Sequence, residues 1–189
     1  MDLTLAQRDR LPDALRALVA EFPRDAWDAH PNYSQLIAFW LDKHLSFRRL
    51  TKMLADDTDK ALAGLLDPLQ YQRHVSRLGG DLINHLHGHH QIEDAHYFPV
   101  MATLDQAAAA GFDILDRDHH AMDGLLNGLA TDANAVLQRQ LTDKNGLTTA
   151  TSTFQNTLTD FTRMLDRHLV DEEELVVPVL LKYAPEQFR

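Results

Sequence analysis

The chain has 189 residues, a length that suits one domain with a sizeable core, or one domain with a short extension. Its net charge is −10 with histidine neutral, and its lysines and arginines are scattered, so we expect no nucleic-acid partner. The absence of cysteine excludes disulfides, iron–sulfur clusters and thiolate catalysis, so any metal ion must be bound through nitrogen and oxygen. No apolar run approaches the roughly 20 residues of a membrane span, and the first residues do not resemble a signal peptide. We therefore expect a cytoplasmic protein that binds no membrane.

An N-terminal arm precedes the main helical part of the chain. We expect the arm to take residues 1–33, with a short helix around Asp13–Glu21 that has Pro12 near its first turn. Residues 34–183 carry four longer patterns in which apolar residues recur every three or four positions, as on the buried face of a helix. Residues 184–189 form a short tail.

The four patterns are joined by connectors near 56–67, 105–112 and 142–150, which are short enough to link antiparallel neighbours. The second pattern opens at Asp67 and Pro68, a capping residue followed by proline at the first helical position. No segment alternates at period two for long enough to predict a sheet. The predicted fold is all-α: an up-and-down antiparallel four-helix bundle with a short N-terminal helical arm.

A local repeat places histidine and glutamate together on two of these helices. His89 is followed by Glu93 and then Pro99, and His168 is followed at the same spacings by Glu172 and Pro178. Histidine and glutamate four residues apart share one face of a helix, so both can reach the same metal ion or ion pair.

The first and third helical patterns add His44 and His119, which gives four imidazoles and two carboxylates at the bundle centre. A carboxylate on a buried helical face costs several kcal/mol unless it is paired or bound to metal, so Glu93 and Glu172 favour a metal site. Imidazoles mixed with carboxylates that can bridge two ions are typical of a binuclear iron or manganese centre.

Other polar residues near this face leave the ligand set open. His85 precedes His89 by one turn and is either an extra ligand or a hydrogen-bonding neighbour, and Asp123, four residues after His119, is a comparable candidate. We expect His90 and His120 to point about 100° away from the site, although a register slip would exchange them with their neighbours. The remaining polar residues are expected outside the ligand set: His74 and His87 in solvent, His96 facing inward beyond ligand reach, and Asp94, Glu173 and Glu174 on a polar flank.

The residues now described resemble the hemerythrin-like, or HHE cation-binding, family. The resemblance covers roughly 34–183. The motifs that carry it are His44, His89-x3-Glu93 running into Tyr97-Phe98-Pro99, Asp118-His119, and His168-x3-Glu172 running into Pro178.

The resemblance implies a four-helix bundle that holds two non-haem iron ions joined by oxo or hydroxo and carboxylate bridges, with zinc or manganese as possible substitutes. It implies that Glu93 and Glu172 bridge the ions, that His44, His89, His119 and His168 are terminal ligands, and that O2 binds at an open position on one iron. The best-known members have five histidines, two of them one turn apart on the third helix. This chain has Asp123 at the second of those positions, so His85 or Asp123 fills the vacancy, or the position stays open to peroxide or nitric oxide.

Three functions are compatible with such a centre. The one we favour is a binding protein for O2 or nitric oxide, acting as a sensor or store. The alternative is an enzyme that uses the same irons to remove peroxide or to repair damaged iron centres. Repair proteins of this family usually carry a cysteine-containing N-terminal segment, which this chain lacks. The third is a zinc-bound or metal-free bundle with an interaction role.

Overall fold

The structure, a computed structural model, describes residues 3–188, so the first two residues of the predicted arm and the last residue of the predicted tail lie outside it. Throughout that range the chain forms helices and turns and no strand, which confirms the all-α class. The helices are α1 (Ala17–Glu21), α2 (Gln35–Leu62), α3 (Pro68–Ile92), α4 (Phe98–Leu104), α5 (Gln106–Leu137) and α6 (Lys144–Tyr183). A π-helical segment, Glu93–Tyr97, joins α3 to α4, and short 3-10 turns occupy Arg24–Ala26 and Glu186–Phe188. The up-and-down order of the four long helices stays a prediction.

Each long helix begins directly after a short polar residue whose side-chain oxygen accepts a hydrogen bond from a backbone N–H of the first turn. The capping residues are Ser34, Asp67, Asp105 and Asp143. Such caps satisfy N–H groups that have no partner within the helix. At the other end of α2, Gly64 has a φ of +70° and lets the Leu65 N–H donate to the Lys60 carbonyl, the pattern of a Schellman motif. The long helices extend as far as these caps, so the connectors between them are shorter than the connectors predicted from the sequence.

The packing divides the described chain into two compact units, and all four long helices contribute to both. The first unit contains the residues up to Leu45, His90–Ala121 and those from Asp166 onward, and the second contains Ser46–His89 and Met122–Leu165. Among the described residues, every helix falls short of the length and apolarity that a membrane crossing requires.

The second unit has a core built from the predicted apolar stripes, with one difference of register. Leu78 and Leu82 of α3 are buried as expected, but the next buried residue is Leu86, not His85, which is exposed. The prediction that His85 lies on the inner face is therefore wrong. The preceding Gly79 and Gly80 have room for a side chain, since a Cβ built at either meets no atom within 4 Å, and nothing in the structure explains the pair.

The first unit buries the C-terminal end of α6 on every side. Val176, Val177 and Val179 are all buried, as is typical of a helix that is apolar around its whole circumference. The N-terminal arm supplies part of this cover, because Leu11 and Trp27 belong to the same apolar cluster. The helix predicted at Asp13–Glu21 is shorter, starting at Ala17.

The π-helical segment lies at the point where α3 enters the first unit. Glu93 is buried, and the next fully buried residue of the segment and α4 is Phe98, five positions on. His96, which was predicted to face inward, is exposed, and so is Ile92. Single π-helical turns are rare and are concentrated at functional sites.

Candidate metal centre

Three buried histidines from three helices meet in the first unit. His90 lies in the last turn of α3, His119 lies in α5 and His168 in α6, and one ring nitrogen of each lies within 4.8 Å of the others. The Nε2 atoms of His119 and His168 are 3.1 Å apart. The His90 ring stacks on the His119 ring, with centroids 4.0 Å apart and planes at 11°. We call these residues the three-histidine group.

Within the first unit, a second set of donors, the mixed group, includes His44 from α2, Glu93 from the π-helical segment and Glu172 from α6. One ligand atom of each lies within 4.8 Å of the others, and all three side chains are buried. Glu172 lies between the two groups, because its Oε1 is 3.4 Å from the Nε2 of His44 and its Oε2 is 3.4 Å from the Nε2 of His168. Glu93 also approaches the three-histidine group, with its Oε2 3.6 Å from the Nε2 of His119.

In three of these histidines the Nδ1 atom, on the side of the ring away from the donor groups, is hydrogen-bonded to a carboxylate. The pairs are His44 Nδ1 with Glu173 at 3.0 Å, His119 Nδ1 with Asp94 at 2.7 Å, and His168 Nδ1 with Asp118 at 3.3 Å. In each pair the Nδ1–H donates to the carboxylate, which leaves Nε2 directed toward the donor groups. Metal-binding histidines in proteins are oriented in this way by an outer carboxylate or carbonyl.

The buried charges of the site shift several pKa values. Burial raises the pKa of Glu93 well above its usual value, and the neighbouring charge of Glu172 raises it further. Burial alone would lower the pKa of His168, but hydrogen bonds and charge from Asp118 and Glu172 outweigh it and raise the pKa to about 9. Burial lowers the pKa of His119. Neutral His119 therefore accepts at Nε2 a hydrogen bond from the protonated Nε2 of His168.

This donor set fits metal ions. Two nitrogen ligands about 2.1 Å from one ion and at right angles to each other lie roughly 3 Å apart, close to the 3.1 Å between His119 and His168. A cation would replace the proton between these two rings. It would also neutralise Glu93 and Glu172, two like charges that are costly to bury together.

The family described as the hemerythrin HHE cation-binding domain matches residues 35–180, most of the chain. The chain belongs to this family. No curated protein and no solved structure matches it. Membership confirms the resemblance inferred from the sequence and identifies the chain as a metal-binding helical protein.

Within its first unit, the hemerythrin HHE domain brings together these residues predicted as ligands: His44, Glu93, His119, His168 and Glu172. His89 is the last residue of the second unit and is half-buried. The centroid of its ring lies 5.3 Å from that of Phe47, and it precedes Glu93 by four residues in the chain. His85 and Asp123 are exposed residues of the second unit, and the carboxylate of Asp123 lies 3.4 Å from Nδ1 of His87.

Sequence reasoning missed two residues of the hemerythrin HHE centre. His90 was expected to point away from the site, but it is buried on the same face as Leu82 and Leu86. The three residues are four positions apart, and this spacing is visible in the sequence. Asp118 was noticed only as part of a family motif, although its burial and its bond to His168 give it a definite place. His120, next to His119, is exposed as expected and donates from Nδ1 to the backbone carbonyl of Asp116.

We expect Asp94→Ala to weaken metal binding by roughly 10- to 100-fold, because the ring of His119 would lose the carboxylate that orients it. The measurement is a competitive titration with a chelator of known affinity. Asp116→Ala is the matched control, since it removes a carboxylate that lies 3.8 Å from Nδ1 of the exposed His120 in the same helix. Equal losses in the two variants would contradict an orienting role for Asp94.

Proposed function

We propose that this hemerythrin HHE domain holds two iron ions side by side and uses them to bind O2 or nitric oxide. One observation carries the proposal: Glu172 directs one carboxylate oxygen toward each of two neighbouring donor groups. A carboxylate placed in this way is suited to bridge two ions. Imidazole combined with carboxylate suits iron, and paired ligands on facing helices are the usual construction of di-iron bundles.

In the proposed arrangement one ion takes the three-histidine group and the other takes the histidine of the mixed group. Glu93 and Glu172 are shared between them. His89 completes the second ion's ligands, because its spacing of four residues from Glu93 puts both on one helical face. The set then has five histidines, the number that the family resemblance implies. In the best-known members the fifth histidine lies in the helix that corresponds to α5, where this chain has Asp123. Here His90 of α3 would take its place.

When bound, a pair of ferrous ions supplies redox-active coordination positions for a small diatomic ligand. The chain's contribution is to hold the ligands and limit access of water. The ring of Phe98 stacks on His119, with centroids 5.4 Å apart, and the indole of buried Trp40 donates to Glu172 Oε1 over 2.5 Å. A dry site of this kind strengthens electrostatic interactions with a bound ligand.

The test is anaerobic loading with ferrous iron, measurement of metal per chain, and then exposure to O2 or nitric oxide. We expect about two irons per chain and a stable visible absorption band with the gas. The His87→Ala variant, altered at an exposed histidine, should behave as the wild type does. Bleaching with consumption of added peroxide would favour the enzyme alternative. Fewer than two irons per chain, or a strong preference for zinc, would contradict the di-iron proposal.

A further inference from the structure

Three arginines of the N-terminal arm pair with an acidic run in α6, Asp171–Glu174. Arg8 bonds to Asp171, Arg24 to Glu173 and Arg16 to Glu174, at 2.8, 2.7 and 2.7 Å, while Glu172 of the same run belongs to the mixed group. The side chains of Arg24 and Arg16 are 49 % and 23 % exposed. Arg8 differs, because its side chain is only 1 % exposed.

The guanidinium of Arg8 joins two buried carboxylates. Its Nη1 donates to Asp118 Oδ1 over 2.8 Å while Nη2 donates to Asp118 Oδ2, and its Nε donates to Asp171. The bidentate geometry fixes the plane of the Asp118 carboxylate. Burial would raise the pKa of Asp118, but hydrogen bonds from Arg8 and His168 outweigh burial and hold the pKa below its usual value.

The two carboxylates depend on Arg8 to different extents. Asp171 also receives hydrogen bonds from Arg167, over 3.1 and 2.6 Å, and from the Leu11 N–H. It keeps a cationic partner if Arg8 is lost. The other hydrogen bond of Asp118 in the site is with the His168 ring. Loss of Arg8 would therefore be felt mainly by Asp118 and, through it, by His168.

We propose that Arg8 is a positioning residue of the metal centre: it orients Asp118, which in turn orients His168. The inference rests on the proposed function, since it assigns the arm a part in holding one ligand of the three-histidine group. The N-terminal arm is then a component of the centre and not only a cover for the apolar end of α6. Removal of an outer partner of a metal-binding histidine typically costs 10- to 100-fold in metal affinity.

The test compares Arg8→Met with Arg16→Met, a matched variant of an arm arginine whose partner, Glu174, touches none of the histidines. The probe is Co²⁺, titrated into the metal-free full chain and followed by its visible absorption. We expect Arg8→Met to weaken the binding of one of two Co²⁺ ions by 10- to 100-fold and to change the absorption of that ion. Arg16→Met should bind both ions with less than a twofold change. If both variants bind both ions as the wild type does, the inference is wrong.

Two further variants separate positioning from general stability. Arg8→Lys keeps the charge but loses the bidentate contact, and it covers the case in which Arg8→Met does not fold. We expect it to lose affinity at the same ion, and wild-type affinity would overturn the inference. A double-mutant cycle with Asp118→Asn should show that the two losses are not additive, because Arg8 acts through Asp118. Additive losses would overturn it as well.

Failure of this inference is distinguishable from failure of the proposed function. A wild-type chain that binds fewer than two ions contradicts the di-iron proposal, whatever the variants do. A wild-type chain that binds two ions, with Arg8 variants indistinguishable from it, contradicts only the role of Arg8.

Discussion

A chain with Glu172→Ala is expected to bind no more than one metal ion, where the wild type is expected to bind two. Each carboxylate oxygen of Glu172 lies 3.4 Å from the Nε2 of a histidine in a different donor group. In the proposed arrangement the substitution would remove a ligand from both ions and the bridge between them. Metal per chain after equilibrium dialysis against ferrous iron is the measurement, with far-UV circular dichroism to verify that the helices remain.

The matched control is Glu174→Ala, which lies two residues further along α6. Its carboxylate pairs with Arg16 and is not part of either donor group. This variant should keep two metal ions. Two ions bound with wild-type affinity by the Glu172 variant would count against a bridging carboxylate, and loss of both ions in both variants would indicate damage to the helix instead.

The metal-free protein is expected to lose stability as the pH rises from 6.5 to 9. The pKa of buried His168 is about 9 in the folded state, against an ordinary 6.5. Its protonated form therefore contributes stability that is fully present below pH 6.5 and is lost as the pH rises through 9. A difference of this size corresponds to about 3 kcal/mol in the free energy of unfolding. The raised pKa values of His44 and Glu93 act in the same direction.

Urea unfolding of the metal-free chain at a series of pH values measures this effect. The His168→Gln variant should show a flatter pH dependence, because the titrating group is gone. Saturation with Zn²⁺ should also flatten it, since the metal takes the nitrogen that the proton occupied. Stability of the wild-type metal-free chain that stays constant or increases over this range would be inconsistent with a protonated His168.

The helical class and the core of the site followed from periodicity, because His44, Glu93, His119 and Glu172 each continue an apolar stripe. The same reasoning chose the wrong member of an adjacent pair in α3. A step of three from Leu82 gives His85 and a step of four gives Leu86, and both agree with a period of 3.6 residues. In the structure Leu86 is the buried residue, and the next one, four positions on, is His90. The prediction had started from His85 and therefore placed His89 on the inner face instead of His90.

The role of the N-terminal arm was beyond the reach of sequence patterns. Arg8 and Asp118 are 110 residues apart, and the pairing depends on how the arm folds back in the first unit. A buried arginine is unusual, but nothing in the residues around Arg8 predicts that it is buried. Long-range ion pairs of this kind follow from tertiary packing, which local periodicity does not encode.

The π-helical segment has a consequence for the repeat from which the site was first inferred. Pro99 and Pro178 each stand ten residues after a histidine, yet Pro99 is exposed and Pro178 is buried. The wider turn at Glu93–Tyr97 rotates the first segment relative to the second, which continues as a regular α-helix. Equal spacing along the chain therefore does not give equal rotation in space. The two segments therefore match in sequence spacing but differ in structure after their glutamates, and the two prolines have different surroundings.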